Sequence, residues 1–123
     1  MKRKLAVSET EWEILKMLWK HGESIRQSEL LSLFEKEGRE WKRQTLNTFL
    51  SRLEKKGLVR REGGMATPVY NEEEYNVMQM REAIDAMYSG KFSNLLASFI
   101  NRNELSQEEA IELRQLLDKK DNS

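Results

Sequence analysis

A change of hydrophobic period at Gly57 is the feature that most restricts how this chain can fold. Before it, apolar residues recur at i, i+3, i+4 and i+7, the spacing of one buried helix stripe: Leu46, Phe49, Leu50 and Leu53. After it, "LVRR" predicts a short strand, "EGGMA" a turn and "TPVYN" a returning strand. The sequence therefore predicts a helix followed directly by a small hairpin.

Two further helices are predicted before this one. Ser8 and Glu11 form a capping box that opens the first helix, and Gly22 ends it. The second helix is expected from about Gln27 to Lys36. The order helix, helix, helix, hairpin is that of a winged helix-turn-helix. Because Pro68 lacks an N–H for a sheet ladder, we expect the returning strand to lie at the edge of the sheet.

The charge of the chain is divided between its two halves. The total is zero, but residues 1–64 carry a net charge of +5 and residues 65–123 a net charge of −5. Eight basic and only two acidic residues lie between Arg39 and Arg61, and Glu54 is the only acid between Thr45 and Arg61. This asymmetry suggests that the first half meets a polyanion, although an uneven surface charge is the simpler alternative.

The predicted outward face of the third helix offers amides, hydroxyls and cations, the groups that reach base edges and phosphates in the DNA major groove. An ordinary solvated face is the alternative. We predict base contacts from Gln44, Asn47, Thr48 and Ser51, with Thr45 beside them on the DNA-binding surface. The predicted phosphate contacts are Lys42, Arg43, Arg52, Lys55, Arg60 and Arg61. The Gly63–Gly64 turn lacks side chains and can approach a sugar-phosphate backbone closely.

Three short helices are predicted after Asn71, and the last is opened by a second capping box, Ser106 with Glu109. They are too few to bury their own apolar faces well. A two-fold dimer would supply the missing core, and the alternative is that the faces fold back on the same chain. The predicted dimerisation residues are Met80, Ile84, Met87, Phe92, Leu95, Leu96, Phe99, Leu113, Leu116 and Leu117.

Little in the sequence favours an enzyme, a metal site or a cofactor. The chain has no cysteine, and its only histidine, His21, has no evident ligand partners. Ser24 and Ser28 lack the setting of an activated nucleophile. No apolar run is long enough to span a membrane, and the basic N-terminus turns polar too soon for a signal peptide, so we expect a cytoplasmic protein.

Three segments resemble the penicillinase repressor family: "SETEWEILKMLW", "TLNTFLSRLEKKGLV" and "GKFSNLLASFINRNELSQEEAIELRQLLDKK". The resemblance runs from about Val7 to Lys120. It implies a dimeric winged-helix repressor that binds inverted repeats in promoters of resistance operons. It also implies a membrane sensor-transducer metalloprotease as a partner, whose signal leads to cleavage of the repressor in its dimerisation domain. Ser98–Phe99 stands where the family's best-known cleavage dipeptide is Asn-Phe, and it is the candidate cleavage site.

We therefore predict a mostly α-helical chain with a small β-hairpin wing. A winged helix-turn-helix DNA-binding domain is expected over residues 1–73, and a three-helix dimerisation domain over residues 74–123. The predicted function is sequence-specific repression by a homodimer on a double-stranded inverted-repeat operator, in a resistance or stress operon. The alternative is a winged-helix protein-interaction module whose basic face meets an acidic partner.

Overall fold

The structure is a computed structural model and describes residues 6–122. The described helices and strands follow in the order α1 (Glu9–His21), β1 (Ile25–Arg26), α2 (Gln27–Lys36), α3 (Arg43–Lys55), β2 (Val59–Glu62), β3 (Met65–Pro68), α4 (Glu72–Met87), α5 (Phe92–Asn101) and α6 (Gln107–Asp121). The chain forms two compact units that divide between Met80 and Arg81, inside α4. No helix among the described residues is both long and apolar enough to cross a bilayer.

The predicted start and end of α1 are confirmed. The Ser8 hydroxyl accepts a hydrogen bond from the Glu11 amide at 3.1 Å, and the Glu11 carboxylate accepts one from the Ser8 amide at 2.7 Å. These two bonds satisfy amides that the first helical turn leaves without partners. At the other end Gly22 has φ 93°, in the left-handed region that favours glycine. The predicted bounds of α2 are also confirmed.

The sheet has three antiparallel strands in the order β1-β3-β2. The expectation that β3 is an edge strand is therefore wrong, because β1 pairs on its other side. β1 pairs only with Met65 and Ala66 of β3. Pro68 lies outside this pairing, so β1 requires no hydrogen bond from its backbone nitrogen. β2 and β3 are joined by Gly63 and Gly64, with φ 58° and 77°, the conformation of a tight two-residue hairpin turn. The turn is shorter than the predicted "EGGMA".

The core of the first unit is apolar and lies between the three helices and the sheet. Its buried residues are Ile14, Leu15, Leu18, Ile25, Leu30, Phe34, Leu46, Leu50, Leu53, Leu58, Val59, Ala66 and Tyr75. Tyr75 enters from α4, and its ring lies 5.6 Å from that of Trp12 and 5.4 Å from that of Trp19. Both tryptophans are half-buried, and the Trp19 indole N–H donates to the Tyr70 carbonyl at 2.9 Å. This aromatic cluster joins the start of α4 to α1.

The second unit contains the end of α4 together with α5 and α6. The capping box of α6 is confirmed, since Ser106 and Glu109 exchange two hydrogen bonds of 3.0 and 3.1 Å. The hydrogen bond from the Ser106 amide, supported by the nearby Ser106 hydroxyl, holds the pKa of the Glu109 carboxyl below its ordinary value. Neither α5 nor α6 has a buried residue in the single chain. Helices whose apolar sides are left uncovered gain little stability from packing.

Candidate nucleic-acid interface

The third helix is held by its apolar side and presents its polar side to solvent. Leu46, Leu50 and Leu53 are fully buried, and Phe49 is half-buried. On the opposite side Gln44, Asn47, Thr48, Arg52 and Lys55 are exposed, and Ser51 and Thr45 are half-buried. The predicted base-contacting residues therefore lie on one outward surface of α3, which we call the α3 face and define as Gln44, Asn47, Thr48, Ser51 and Lys55.

One hydrogen bond on the α3 face follows the helix itself. The Thr48 hydroxyl donates to the Gln44 carbonyl at 3.0 Å, one helical turn earlier. Its proton is therefore used within the helix, while the side chain is exposed to solvent. Thr48 can then accept a hydrogen bond or contact a thymine methyl group.

The basic residues between Arg39 and Arg61 divide into two groups. Three of them form ion pairs within the chain: Arg39 with Glu13, Lys56 with Glu11, and Arg61 with Glu54. The other five have no ion-pair partner among residues 6–122: Lys42, Arg43, Arg52, Lys55 and Arg60. Of these, Arg52 stacks on the Phe49 ring, with its guanidinium carbon 5.5 Å from the ring centre. Four of these cations, Lys42, Arg43, Arg52 and Lys55, lie in α3 or at its N-cap, and the fifth, Arg60, lies in β2.

Arg61 is directed at α3 and not outward from the hairpin. Its guanidinium donates to the Asn47 side-chain oxygen, to the Ser51 hydroxyl at 2.8 Å and to the Glu54 carboxylate at 3.0 and 3.2 Å. Arg60, the residue that precedes Arg61 in β2, is exposed on the other side of the strand. Alternation along a strand places successive side chains on opposite faces, so the two arginines have different surroundings. Sequence reasoning gave them one role and missed this difference.

The Gly63–Gly64 turn is attached to the start of α2. The Gly64 carbonyl accepts a hydrogen bond from the Gln27 amide at 2.9 Å. Between this turn, α2 and α3 lies an open cleft of about 670 Å³. Its lining residues are Arg26, Gln27, Ser28, Leu31, Arg43, Gln44, Leu46, Asn47 and Gly64. The turn, the start of α2 and the start of α3 are thus neighbours on one surface.

A buried ion pair fixes the end of α3 against the start of α1. Glu11 is only 2% exposed, and its carboxylate accepts a hydrogen bond from the Lys56 ammonium at 2.7 Å. Burial alone would raise the pKa of Glu11, but the hydrogen bonds from Lys56 and Ser8 outweigh burial and hold the pKa below its ordinary value. The capping-box motif identified Glu11 from the sequence, whereas nothing local connected it with Lys56.

The predicted dimerisation residues have different exposures in the single chain. Ile84 is buried, and Leu95, Leu96 and Leu113 are half-buried. The remainder are at least 46% exposed: Met80, Met87, Phe92, Phe99, Leu116 and Leu117. Such a concentration of exposed large apolar residues is unusual for a chain that acts alone.

The candidate cleavage pair lies in the C-terminal half of α5. Phe99 is exposed, while Ser98 is half-buried and its hydroxyl donates to the Asn94 carbonyl at 3.1 Å. The peptide bond between them is therefore helical. Across residues 6–122, no cluster of three or more His, Cys, Asp or Glu side chains could hold a metal ion.

The fold and this surface define a class. Three helices, a small antiparallel sheet and a tight hairpin beside an acid-poor third helix make a winged helix-turn-helix. The chain belongs to the penicillinase repressor family. The family profile, described as penicillinase repressor, matches residues 7–119. The family resemblance predicted from the sequence is thereby confirmed.

Several proteins are similar to this chain over nearly the whole of their own length. The penicillinase repressor of Bacillus licheniformis is 32% identical over 126 residues, which cover 99% of this chain and 97% of that protein. The methicillin resistance regulatory protein MecI of Mammaliicoccus sciuri is 29% identical, over 93% of this chain and 94% of that protein. The solution structure of the DNA-binding domain of the repressor BlaI aligns with 61% of this chain and 94% of its own, with 35% identity and a TM-score of 0.48.

Proposed function

We propose that this protein is a sequence-specific DNA-binding transcriptional repressor that acts as a homodimer on an inverted-repeat operator. The observation that carries the proposal is the α3 face, whose amides and hydroxyls are exposed on a helix held by three fully buried leucines. A rigid helix with such a surface suits the major groove, where base edges are distinguishable by hydrogen bonds. The relative named as a penicillinase repressor and the one named as a methicillin resistance regulatory protein support the same function.

The five unpaired cations are the proposed phosphate contacts. Each phosphate neutralised by a lysine or arginine changes the slope of log affinity against log salt by about −0.9. Five contacts in each of two chains therefore set an upper limit of about nine on the steepness of that slope. Arg61 is left out of this count because Glu54 already balances its charge.

The homodimer is proposed from the uncovered apolar side chains of the second unit. A second copy is the partner that presents the same apolar surface in return. Two recognition helices joined in this way would meet half-sites one duplex turn apart, about 34–36 Å. Binding of one half then raises the effective concentration of the other, so that affinity depends on the dimer.

The test of DNA binding uses the DNA upstream of the protein's own gene and a scrambled duplex of the same composition, each at two salt concentrations. We expect two chains per two-fold site and a preference for the natural sequence of at least about 10³. A Lys55→Ala variant should bind all sequences more weakly and lower the salt slope by about one for each chain, and so by about two for the dimer, while Gln44→Ala should relax the preference at one base pair in each half-site. Equal, weak binding to both duplexes would contradict the proposal.

That negative result would favour the second candidate function, a protein-interaction module. The same cations could then meet an acidic partner protein, and binding to DNA would be unselective. The observation that favours this alternative is the presence of Arg61 on the α3 face, where it reduces the polar surface open to bases. The sequence preference of the wild-type protein separates the two functions.

The dimer is tested with a double variant in which Leu96 and Phe99 are both replaced by glutamine. We expect a folded winged-helix unit, a monomeric mass in sedimentation equilibrium and weak operator binding. The aromatic near-ultraviolet signal of Trp12, Trp19 and Tyr75 reports on the fold of that unit independently. Unchanged operator affinity in a variant that is monomeric would separate dimerisation from binding and refute their coupling.

We also propose that the repressor controls a resistance or stress operon and is released by a protease, with a membrane sensor-transducer metalloprotease as the partner. In the single chain the proposed cut at Ser98–Phe99 lies in a helix without buried residues, so local opening of α5 costs little once the dimer has dissociated, and it exposes the bond. Mass spectrometry of the protein from induced cells should find a fragment ending at Ser98. An intact chain throughout induction would argue against cleavage. A cytoplasmic location follows from the proposal, because the operator lies there.

A further inference from the structure

Arg61 uses almost all of its hydrogen-bonding capacity inside the chain. A guanidinium has five N–H donors, and four hydrogen bonds lead from Arg61 to Asn47, Ser51 and Glu54. A phosphate or a guanine is bound most strongly through two parallel N–H donors. Only one donor remains on Arg61, so it cannot make such a contact while this network is intact.

The charge of Arg61 is also balanced where it lies. Its side chain is 21% exposed, and the Glu54 carboxylate is 3.0 Å away. Glu54 is the only acidic residue between Thr45 and Arg61, and it lies on the same helical stripe as Asn47 and Ser51, the other two residues that Arg61 contacts. Asn47, Ser51 and Glu54 are spaced i, i+4 and i+7, so one guanidinium can touch all three. The single acid on α3 therefore holds the arginine on the helix.

This network fixes the orientation of the Asn47 amide. A guanidinium only donates, so the atom of Asn47 that faces it must be the oxygen, and the amino group points away from the hairpin. The Ser51 oxygen likewise accepts from Arg61, which leaves its own proton for an outside acceptor. Asn47 and Ser51 are thus arranged to present donors outward.

We propose that Arg61 and Glu54 are specificity-determining positioning residues, which orient Asn47 and Ser51 for base recognition and do not themselves bind DNA. The inference rests on the proposed function, sequence-specific DNA binding. Outward donors suit base edges that carry acceptors in the major groove, namely guanine N7 and O6, thymine O4 and adenine N7. A cytosine, which offers its amino group there, would leave these donors unpaired.

The experiment measures binding of the full-length protein to the operator and to duplexes in which each base pair of one half-site is replaced in turn, at several salt concentrations. Arg61→Ala frees the Asn47 amide to rotate. We expect discrimination against cytosine to fall about tenfold at the base pair that Asn47 faces. The salt slope should change by much less than one, because no phosphate contact is lost.

Arg60→Ala is the matched control, since Arg60 is the adjacent arginine of the same strand and is exposed without an ion pair among the described residues. We expect it to lower the salt slope by about one for each chain, and so by about two for the dimer, and to leave the base preferences unchanged. If Arg61→Ala behaves like Arg60→Ala, with a lower slope and an unchanged preference profile, Arg61 is a phosphate contact and the inference is overturned.

Glu54→Gln keeps the shape of the network and removes its negative charge, so it tests the inference even if Arg61→Ala does not fold. We expect tighter binding to the scrambled duplex, a steeper salt slope and a smaller preference for the operator, because the charge of Arg61 is no longer balanced. A variant identical to the wild type in all three measurements would overturn the role of Glu54. The sequence preference of the wild-type protein is measured first. If the wild type has no preference, the proposed function is refuted, and this outcome is distinct from a failure of the inference about Arg61 and Glu54.

Discussion

The buried ion pair between Glu11 and Lys56 makes a strong prediction about stability. Replacing Lys56 with methionine keeps the apolar stem of the side chain and removes the ammonium, which leaves the Glu11 carboxylate buried without its counter-ion. One oxygen of Glu11 already lacks a hydrogen-bond partner, so the loss is not compensated nearby. The carboxylate must therefore remain as a poorly solvated charge or take up a proton.

The size of the loss follows from the exposures of the two side chains. Breaking a buried ion pair by removing one partner costs about 3–5 kcal/mol. Lys56 is 29% exposed, which weakens the pair through solvent screening, and the Ser8 amide still donates to Glu11 in the variant. We therefore expect Lys56→Met to lower the free energy of unfolding by about 2–3 kcal/mol near neutral pH.

The effect should depend on pH in a defined direction. In the wild type the folded-state pKa of Glu11 lies below its ordinary value of 4.5. The stabilisation from Glu11 is therefore present above pH 4.5 and is lost as the pH falls through the lower folded-state value. In Lys56→Met the two lowering effects of Lys56 on the pKa of Glu11 are absent while burial still acts to raise it, so we expect Glu11 to take up a proton more readily than in the wild type, which relieves the penalty as the pH falls. The difference in stability between the two proteins should shrink on acidification.

The assay is urea unfolding followed by tryptophan fluorescence near pH 7 and near pH 3.5. Lys55→Met is the control, because Lys55 is the adjacent lysine, is exposed and has no ion pair among residues 6–122. A surface substitution of this kind should change the free energy of unfolding by no more than about 0.5 kcal/mol. Equal effects of the two substitutions near pH 7, or a difference that does not shrink in acid, would refute the reasoning.

Three substitutions test other parts of the first unit. Leu50→Ala in the fully buried stripe of α3 should cost about 3–4 kcal/mol in urea unfolding, and a loss below 1 kcal/mol would contradict the packing. Trp19→Phe removes the N–H that the Tyr70 carbonyl accepts and should cost about 1–2 kcal/mol by calorimetry; no change in melting temperature would speak against that bond. Gly22→Ala strains a residue at φ 93° and should cost about 1–2 kcal/mol, whereas a more stable variant would disprove the left-handed cap.

Local signals in the sequence predicted most of the helices. The capping boxes at Ser8 and Ser106 and the stop at Gly22 depend on residues within one turn of each other, so their chemistry can be recognised without the fold. The buried stripe of α3 was predicted for the same reason, since 3.6-residue periodicity is a property of the segment itself. The fold class followed from the order of these segments.

Features that depend on distant partners could not be predicted. β1 has two residues, too few to show an alternating pattern, and without it β3 was wrongly expected at the edge of the sheet. The aromatic contact of Tyr75 with α1 and the pairing of Glu11 with Lys56 join residues that are far apart in the chain. Arg60 and Arg61 are adjacent residues of the same type, so the sequence alone does not distinguish them. Only the register of β2 directs one of them, Arg61, to α3.

The uncovered apolar side chains of α5 and α6 have a consequence for the lifetime of a newly made chain. Before it meets a second copy, the proposed dimer subunit displays side chains such as Phe92, Leu116 and Leu117 to the cell. Such surfaces attract chaperones and proteases. Degradation of the monomer shifts the monomer–dimer equilibrium towards dissociation of the dimer. At a lower total concentration a larger fraction of the chains is monomeric, so the degradation rate per chain rises. A decrease in synthesis would therefore cause a more than proportional decrease in the concentration of the protein.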